Sequence, residues 1–236
     1  MDTTIISELL RAKKIGLVSS GLLDVMMIRH LYEANNIFDP SHRGRLFAIF
    51  RHPVHSAWGA YLAIENTHPE LKDLTFEDYA ASDSVENNWL VRALSNQPDG
   101  ATLTSEHLQA AIEFVRDKIL VGLVSKREES LERLEKFFGW KFHEDPLAQE
   151  QCRKDFLEGM GREKQMNLTQ EAMMPKVAAP KPGEPIYDVL WQKNLYDVKL
   201  YEHITQLFEE QAALVANKPD SFRLVDASCC ICTNSC

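Results

Sequence analysis

Hydrophobic residues in this chain fall into short solid runs and spaced stripes, and the two patterns predict different elements. Ile15 to Val18, Val25 to Ile28 and, most strongly, Leu46-Phe47-Ala48-Ile49-Phe50 are solid runs of strand length. Between the second and third, Ile37-Phe38-Asp39-Pro40-Ser41-His42-Arg43-Gly44 carries the turn residues of a connecting loop. From Pro53 to Ile64 the pattern becomes helical, with proline in the first turn, where its missing N–H costs nothing.

The stretch from Thr104 to Gly139 reads most clearly. Thr104 can cap a helix whose Leu108, Ile112, Val115 and Ile119 recur at three- and four-residue steps. That helix runs into Leu120-Val121-Gly122-Leu123-Val124, a continuously apolar strand of the buried parallel type. Ser125, three residues before Glu128, predicts a capping box that opens another helix. Leu131, Leu134 and Phe138 form its apolar stripe, and Gly139 is placed to stop it. Helix, strand and helix with tight connections predict an α/β fold, a parallel sheet flanked by helices.

Beyond Trp140 the pattern loosens. Residues 141–186 are polar and contain Pro146, Pro175, Pro180, Pro182 and Pro185, so an irregular, loop-rich excursion is expected there, with a short helix and an extended crossing. A final helix is expected from about Leu190 to Val215, with Leu200, Ile204, Leu207, Phe208 and Leu214 facing the body. The whole reads as one domain over residues 1–220 and a Cys-rich, disordered tail over 221–236.

Composition narrows the classes. With 236 residues, 44% hydrophobic and 26% charged, the chain is long enough for one sizeable core of ordinary globular make-up. Its formal net charge of −9 argues against a nucleic-acid binder, although a local set of donors can still hold a small anion. No apolar stretch reads as a membrane span, and Met1-Asp2-Thr3-Thr4 lacks the basic flank of a signal peptide. Four of the five cysteines lie in the last eight residues, leaving Cys152 alone in the body, so no disulfide framework is expected. Thr233 stands where a prenylation box would need cysteine. His30, His42, His68, His107, His143 and His203 form no ligand-spaced pair, so no metal is expected.

Arg51 is the residue whose position suggests chemistry. It follows five apolar strand residues and precedes His52-Pro53 and a helix. In open α/β sheets, ligands bind beyond the carboxyl ends of strands, where helix N-termini present N–H groups and partial positive charge. A guanidinium at that place can grip a phosphate with two hydrogen bonds. An arginine paired with a carboxylate at the sheet edge would leave the same signature.

The run Gly44-Arg45-Leu46-Phe47-Ala48-Ile49-Phe50-Arg51-His52-Pro53-Val54 resembles the segment of carbohydrate-type sulfotransferases that binds the 3′-phosphate of the donor, 3′-phosphoadenosine 5′-phosphosulfate. Three further stretches resemble the same family in order: Glu86-Asn87-Asn88-Trp89-Leu90-Val91-Arg92, then Leu120 to Trp140, then Asn194-Leu195-Tyr196-Asp197-Val198-Lys199-Leu200-Tyr201. The resemblance spans roughly residues 15–215 and implies a P-loop-like sulfotransferase fold. It also implies transfer of a sulfuryl group from that nucleotide to a hydroxyl, of a carbohydrate or similar acceptor. The family pattern at the turn places Arg51, Ser56 and Gly59 in the donor-binding set, with Ser56 in place of a second arginine and Gly59 in place of the phosphate-binding serine.

The family's N-terminal loop for the 5′-phosphosulfate has no counterpart, since Lys13 and Lys14 follow no strand and lie among no glycines. The sequence therefore carries a second expectation: a truncated or degenerate, non-catalytic member, lacking its first strand and inclined to dimerise or aggregate. No general base is named. His52 and His55 lie close to Arg51, but such histidines more often cap the helix turn or face solvent. Arg162-Glu163-Lys164 reads as a solvated charge run, and Trp58, Trp89, Trp140 and Trp191 as core anchors rather than stacking platforms. The location expected is cytoplasmic for the chain as it stands, or the Golgi lumen if an N-terminal anchor is missing.

Overall fold

The computed structural model describes residues 5–22, 26, 28, 30–38, 41, 44, 46–67, 73–83, 85, 87–139, 145–161 and 177–216. They are mostly helical, with a two-stranded parallel sheet, broadly α/β. The order is α1 (Ile6–Lys14), α2 (Leu31–Asn35), β1 (Leu46–Phe50), α3 (Pro53–Thr67), α4 (Phe76–Ala81), α5 (Trp89–Ser95) and α6 (Ser105–Lys118). Then follow β2 (Ile119–Leu123), α7 (Arg127–Phe138), α8 (Pro146–Gly161), α9 (Pro185–Lys193), α10 (Leu195–Glu210) and α11 (Ala212–Ala216). The chain divides into two compact units, Met1–Ala48 with Trp89–Leu120, and Ile49–Asn88 with Val121–Cys236. Among the described residues no helix is long and apolar enough to cross a membrane.

In the first unit α5 packs on α6, α2 on α5 and α1 on α2. Leu9, Ala12, Val91, Leu94, Ala111 and Val115 are buried there. The buried Arg92 is satisfied by backbone: its Nη1 donates to Pro98 O at 3.0 Å and Ala101 O at 2.7 Å, which braces the turn before α6. Thr104 does open α6. The His107 ring supplies the reciprocal half of the box, accepting the Thr104 N–H at Nδ1 over 3.0 Å. The expected strand at Ile15 to Val18 is instead a turn. Gly16 and Gly21 both sit at φ +68°, and the hydroxyls of Ser19 and Ser20 bond back to Gly16 O and Leu17 O, which closes the chain locally and stops it extending. Val25 lies outside the described residues, and Met26 and Ile28 are irregular.

In the second unit one core cluster joins Val54 and Tyr61 of α3, Phe76 and Tyr79 of α4, and Tyr187 and Leu190 of α9. Leu131, Leu134 and Phe138 of α7 are buried, as are Leu200, Ile204 and Phe208 of α10. Side chains of that size contribute roughly 1.5–3 kcal/mol each on burial. Gly122 has a packing reason. A Cβ there would come within 3.2 Å of both Ile49 Cγ1 and Ser130 Cβ, so a side chain at this position would need β1 and α7 to give way by a few tenths of an ångström. Gly139 ends α7 in the left-handed conformation, φ +70°, as its position predicts.

Several sequence expectations are corrected. Ser125 caps nothing, because β2 ends at Leu123 and a 3₁₀ turn, Val124–Lys126, intervenes before α7. Ser130, inside α7, instead ties the helix to β2: its hydroxyl accepts the Leu123 N–H at 2.8 Å and lies 2.8 Å from Lys126 O and 3.1 Å from Leu123 O. The short helix expected within the excursion runs for 16 residues as α8. Cys152 on α8 is disulfide-bonded rather than alone. The single C-terminal helix is three, and Leu214 is 60% exposed. Trp89, expected in the core, is 39% exposed, while Trp58 and Trp191 pack on the second unit's cluster. Trp140, Arg162-Glu163-Lys164 and the Cys-rich tail lie outside the described residues.

Candidate functional site: the turn from β1 to α3

Because β1 and β2 run parallel, the chain leaves both at the same edge of the sheet. From β1 it passes through Arg51 and His52 into α3; from β2 it passes through Ser125 and Lys126 toward α7. This is the kind of edge at which α/β folds hold ligands. Arg51 is partly buried at the mouth of the turn. Ser56 is exposed in the first turn of α3 and Gly59 is buried one turn further on. Of the three expected donor residues, Arg51 and Ser56 therefore reach solvent, and Gly59 faces the interior.

The amides at the start of α3 are largely spoken for. Pro53 has no N–H, and the Val54 N–H donates to His52 Nδ1 at 3.3 Å. The Ser56 N–H is already in the helical ladder, donating to His52 O at 2.9 Å. That leaves His55 in the first turn to offer a backbone N–H. An anion at this turn would rest chiefly on the Arg51 guanidinium, helped by one amide, the Ser56 hydroxyl and the partial charge of a 15-residue helix.

His52 is partly buried among aromatic rings. Tyr187 stacks on it with centroids 6.0 Å apart and planes at 24°, and Trp191 tilts against it at 5.9 Å. Tyr201 meets it edge-on at 5.3 Å and the His55 ring lies at 5.5 Å. Desolvation among these rings, then the proximity of His55, lowers its pKa to about 4. With its Nδ1 accepting the Val54 N–H, the ring serves α3 as an N-cap.

At the other strand end Lys126 is committed to carboxylates. Its ammonium bonds Glu209, lies 3.9 Å from Glu129 and sits 5.2 Å over the Phe208 ring. The hydrogen bond to Lys126 pulls the Glu209 pKa down, with Lys126 and Arg133 adding to the effect electrostatically. Arg133 is likewise engaged, its guanidinium 3.6 Å over Phe208 and bonded to Phe208 O and Glu129.

Asn88 is a residue whose role the sequence did not disclose. Buried and held at φ +51°, it donates its N–H to Asn194 Oδ1 at 3.0 Å and its Nδ2 to Lys193 O at 3.1 Å. Its Oδ1 accepts from the N–H groups of Tyr196 at 2.8 Å and Asp197 at 3.1 Å, so it caps α10 from a distant part of the chain. With Asn194 Nδ2 donating to Leu190 O, this breaks α9 from α10 and fixes where Tyr187, Trp191 and Tyr201 meet His52.

Among the described residues no group of three or more His, Cys, Asp or Glu side chains is arranged to hold a metal ion. No family model, curated protein or solved structure matches this chain.

Proposed function

We propose that the chain is a sulfotransferase-family domain that binds 3′-phosphoadenosine 5′-phosphosulfate at the β1–α3 turn and transfers its sulfuryl group to a hydroxyl, of a carbohydrate or similar acceptor. One observation carries the reading: Arg51 stands at the carboxyl end of a parallel strand, directly before a helix N-terminus, in the segment that resembles the family's 3′-phosphate site. The fold we propose is the P-loop-like one, with β1–α3 and β2–α7 as two of its strand–helix units. In the reaction the acceptor oxygen forms a bond to sulfur as the bond from sulfur to the 5′-phosphate oxygen breaks. Adenosine 3′,5′-bisphosphate leaves, and the acceptor proton passes to a base. Arg51 and Ser56 serve the nucleotide's 3′-phosphate. Such transfers rest mostly on positioning and electrostatic stabilisation.

Calorimetry with adenosine 3′,5′-bisphosphate tests this directly. Wild type binds, and Arg51→Ala weakens binding at least tenfold, since a charge-assisted contact to phosphate contributes about 1.5–3 kcal/mol. Absence of binding by both proteins would sink the reading.

A second reading has its own support. With Lys126 held by Glu209 and Glu129, the neighbouring strand end lends little positive charge to a transferring sulfuryl group. A nucleotide-binding member that does not catalyse would look like this. Transfer of label from the donor to a mixed glycan pool would eliminate it.

A further inference from the structure

We infer that His52 is a positioning residue for the anion-binding turn: as a neutral imidazole its Nδ1 caps α3 at Val54, and the rings of Tyr187, Trp191 and Tyr201 clamp it there, so that Arg51 is presented to ligand at one fixed angle. The donor role of the turn rests on the reading above; the cap itself does not.

The hydrogen bond fixes the tautomer. A backbone N–H can only donate, so the Nδ1 facing Val54 must carry a lone pair, and in a neutral ring the proton then sits on Nε2. Protonating Nδ1 would set two donors against each other, opening the cap and freeing the Arg51–His52–Pro53 turn. The enclosure opposes that change. Tyr187 is buried and Trp191 and Tyr201 are partly buried, and all three press on the ring from α9 and α10. Among the described residues, the titratable and charged groups around it are His55 on α3, Tyr187 with Asp188 beside it on α9, Tyr201 on α10, and Arg51 next in the chain. Burial among the rings, then His55, opposes a positive charge on His52, and the lowering of its pKa to about 4 agrees with the geometry.

The position also explains the residue type. An N-cap accepts from the second or third amide of its helix, a task usually given to Asn, Asp, Ser or Thr. Imidazole performs it at Val54 while adding a flat face against which two aromatic rings pack. A carboxylate there would stand beside Arg51 and repel an incoming phosphate, which the neutral ring does not.

The test combines ring NMR with nucleotide binding on the full chain. The His52 ring should show the Nε2–H tautomer with no titration between pH 5 and 8, and Trp191→Ala should move its midpoint up toward 6.5. His52→Asn, which keeps an acceptor for Val54, should hold the dissociation constant for adenosine 3′,5′-bisphosphate within about threefold of wild type. His52→Ala should weaken it about tenfold. A wild-type ring that titrates near 6.5, or carries its proton on Nδ1, overturns the cap whatever the nucleotide does. Equal binding by His52→Ala and wild type overturns the positioning role. Failure of wild type to bind, with the ring behaving as expected, overturns the nucleotide reading and the positioning role together, and leaves the cap standing.

Discussion

Arg51 and His52 are adjacent in sequence and both partly buried, yet only His52 is ringed by aromatic side chains. For Arg51 the decisive quantity is how much anion affinity one guanidinium adds where the helix offers few spare amides, and the tenfold loss in Arg51→Ala measures it. For His52 the decisive quantity is protonation. Its folded pKa is depressed from 6.5 to about 4, so the fold favours the neutral form. The stability this confers is fully present above pH 6.5 and is lost as pH falls through the window down to about 4. Solvent reaching the partly exposed ring reduces the effect below the full shift. Urea midpoints measured from pH 7 to pH 4 should therefore fall more steeply for wild type than for His52→Asn; parallel curves would show that the ring titrates alike folded and unfolded. Sequence singled out Arg51 because strand, arginine, proline and helix are contiguous, and contiguous patterns are legible. It weighed His52 as a helix cap but could not select that role, because Tyr187, Trp191 and Tyr201 come from two helices far along the chain.

Among the elements the same distinction holds. Thr104 before α6 and Gly139 after α7 were readable because a cap acts within four residues of its target. The break between α9 and α10 was not readable, because it is made by Asn88, more than a hundred residues upstream. That cap can be tested by substitution. Asn88→Gly keeps the positive φ but leaves the Tyr196 and Asp197 amides without their acceptor, and should cost about 1–3 kcal/mol. Asn88→Ala adds left-handed strain of about 1 kcal/mol or more and should be the less stable of the two. Denaturant titration separates them, and equal midpoints for Asn88→Gly and wild type would show that α10 does not depend on the distant cap. The strand expected at Ile15 to Val18 is absent for a related reason: Gly16 and Gly21, both at positive φ, turn the apolar run.

For the molecule as a whole, the formal charge of −9 opposes any anionic ligand at long range, while on the proposed reading the turn would attract it at contact. Association with adenosine 3′,5′-bisphosphate should therefore quicken as salt rises from about 0.01 M to 0.15 M, where the screening length shortens to about 8 Å. Stopped-flow rates that fall over that range would point to a locally positive field instead. The coarse α/β character was legible from helix–strand–helix periodicity. The division of the chain into two compact units was not, because local patterning carries no information about which helices gather together.

The side-chain bonds along β2 have a consequence for how this sheet can grow. Val121 gives its N–H to Gln211 Oε1 at 2.8 Å and Leu123 gives its N–H to Ser130, and these two groups point away from β1. A strand that tried to pair on that flank would find its donors already taken by an amide and a hydroxyl. Gln211 and Ser130 act as a selvedge, closing that border of β2 to any additional strand, from this chain or another.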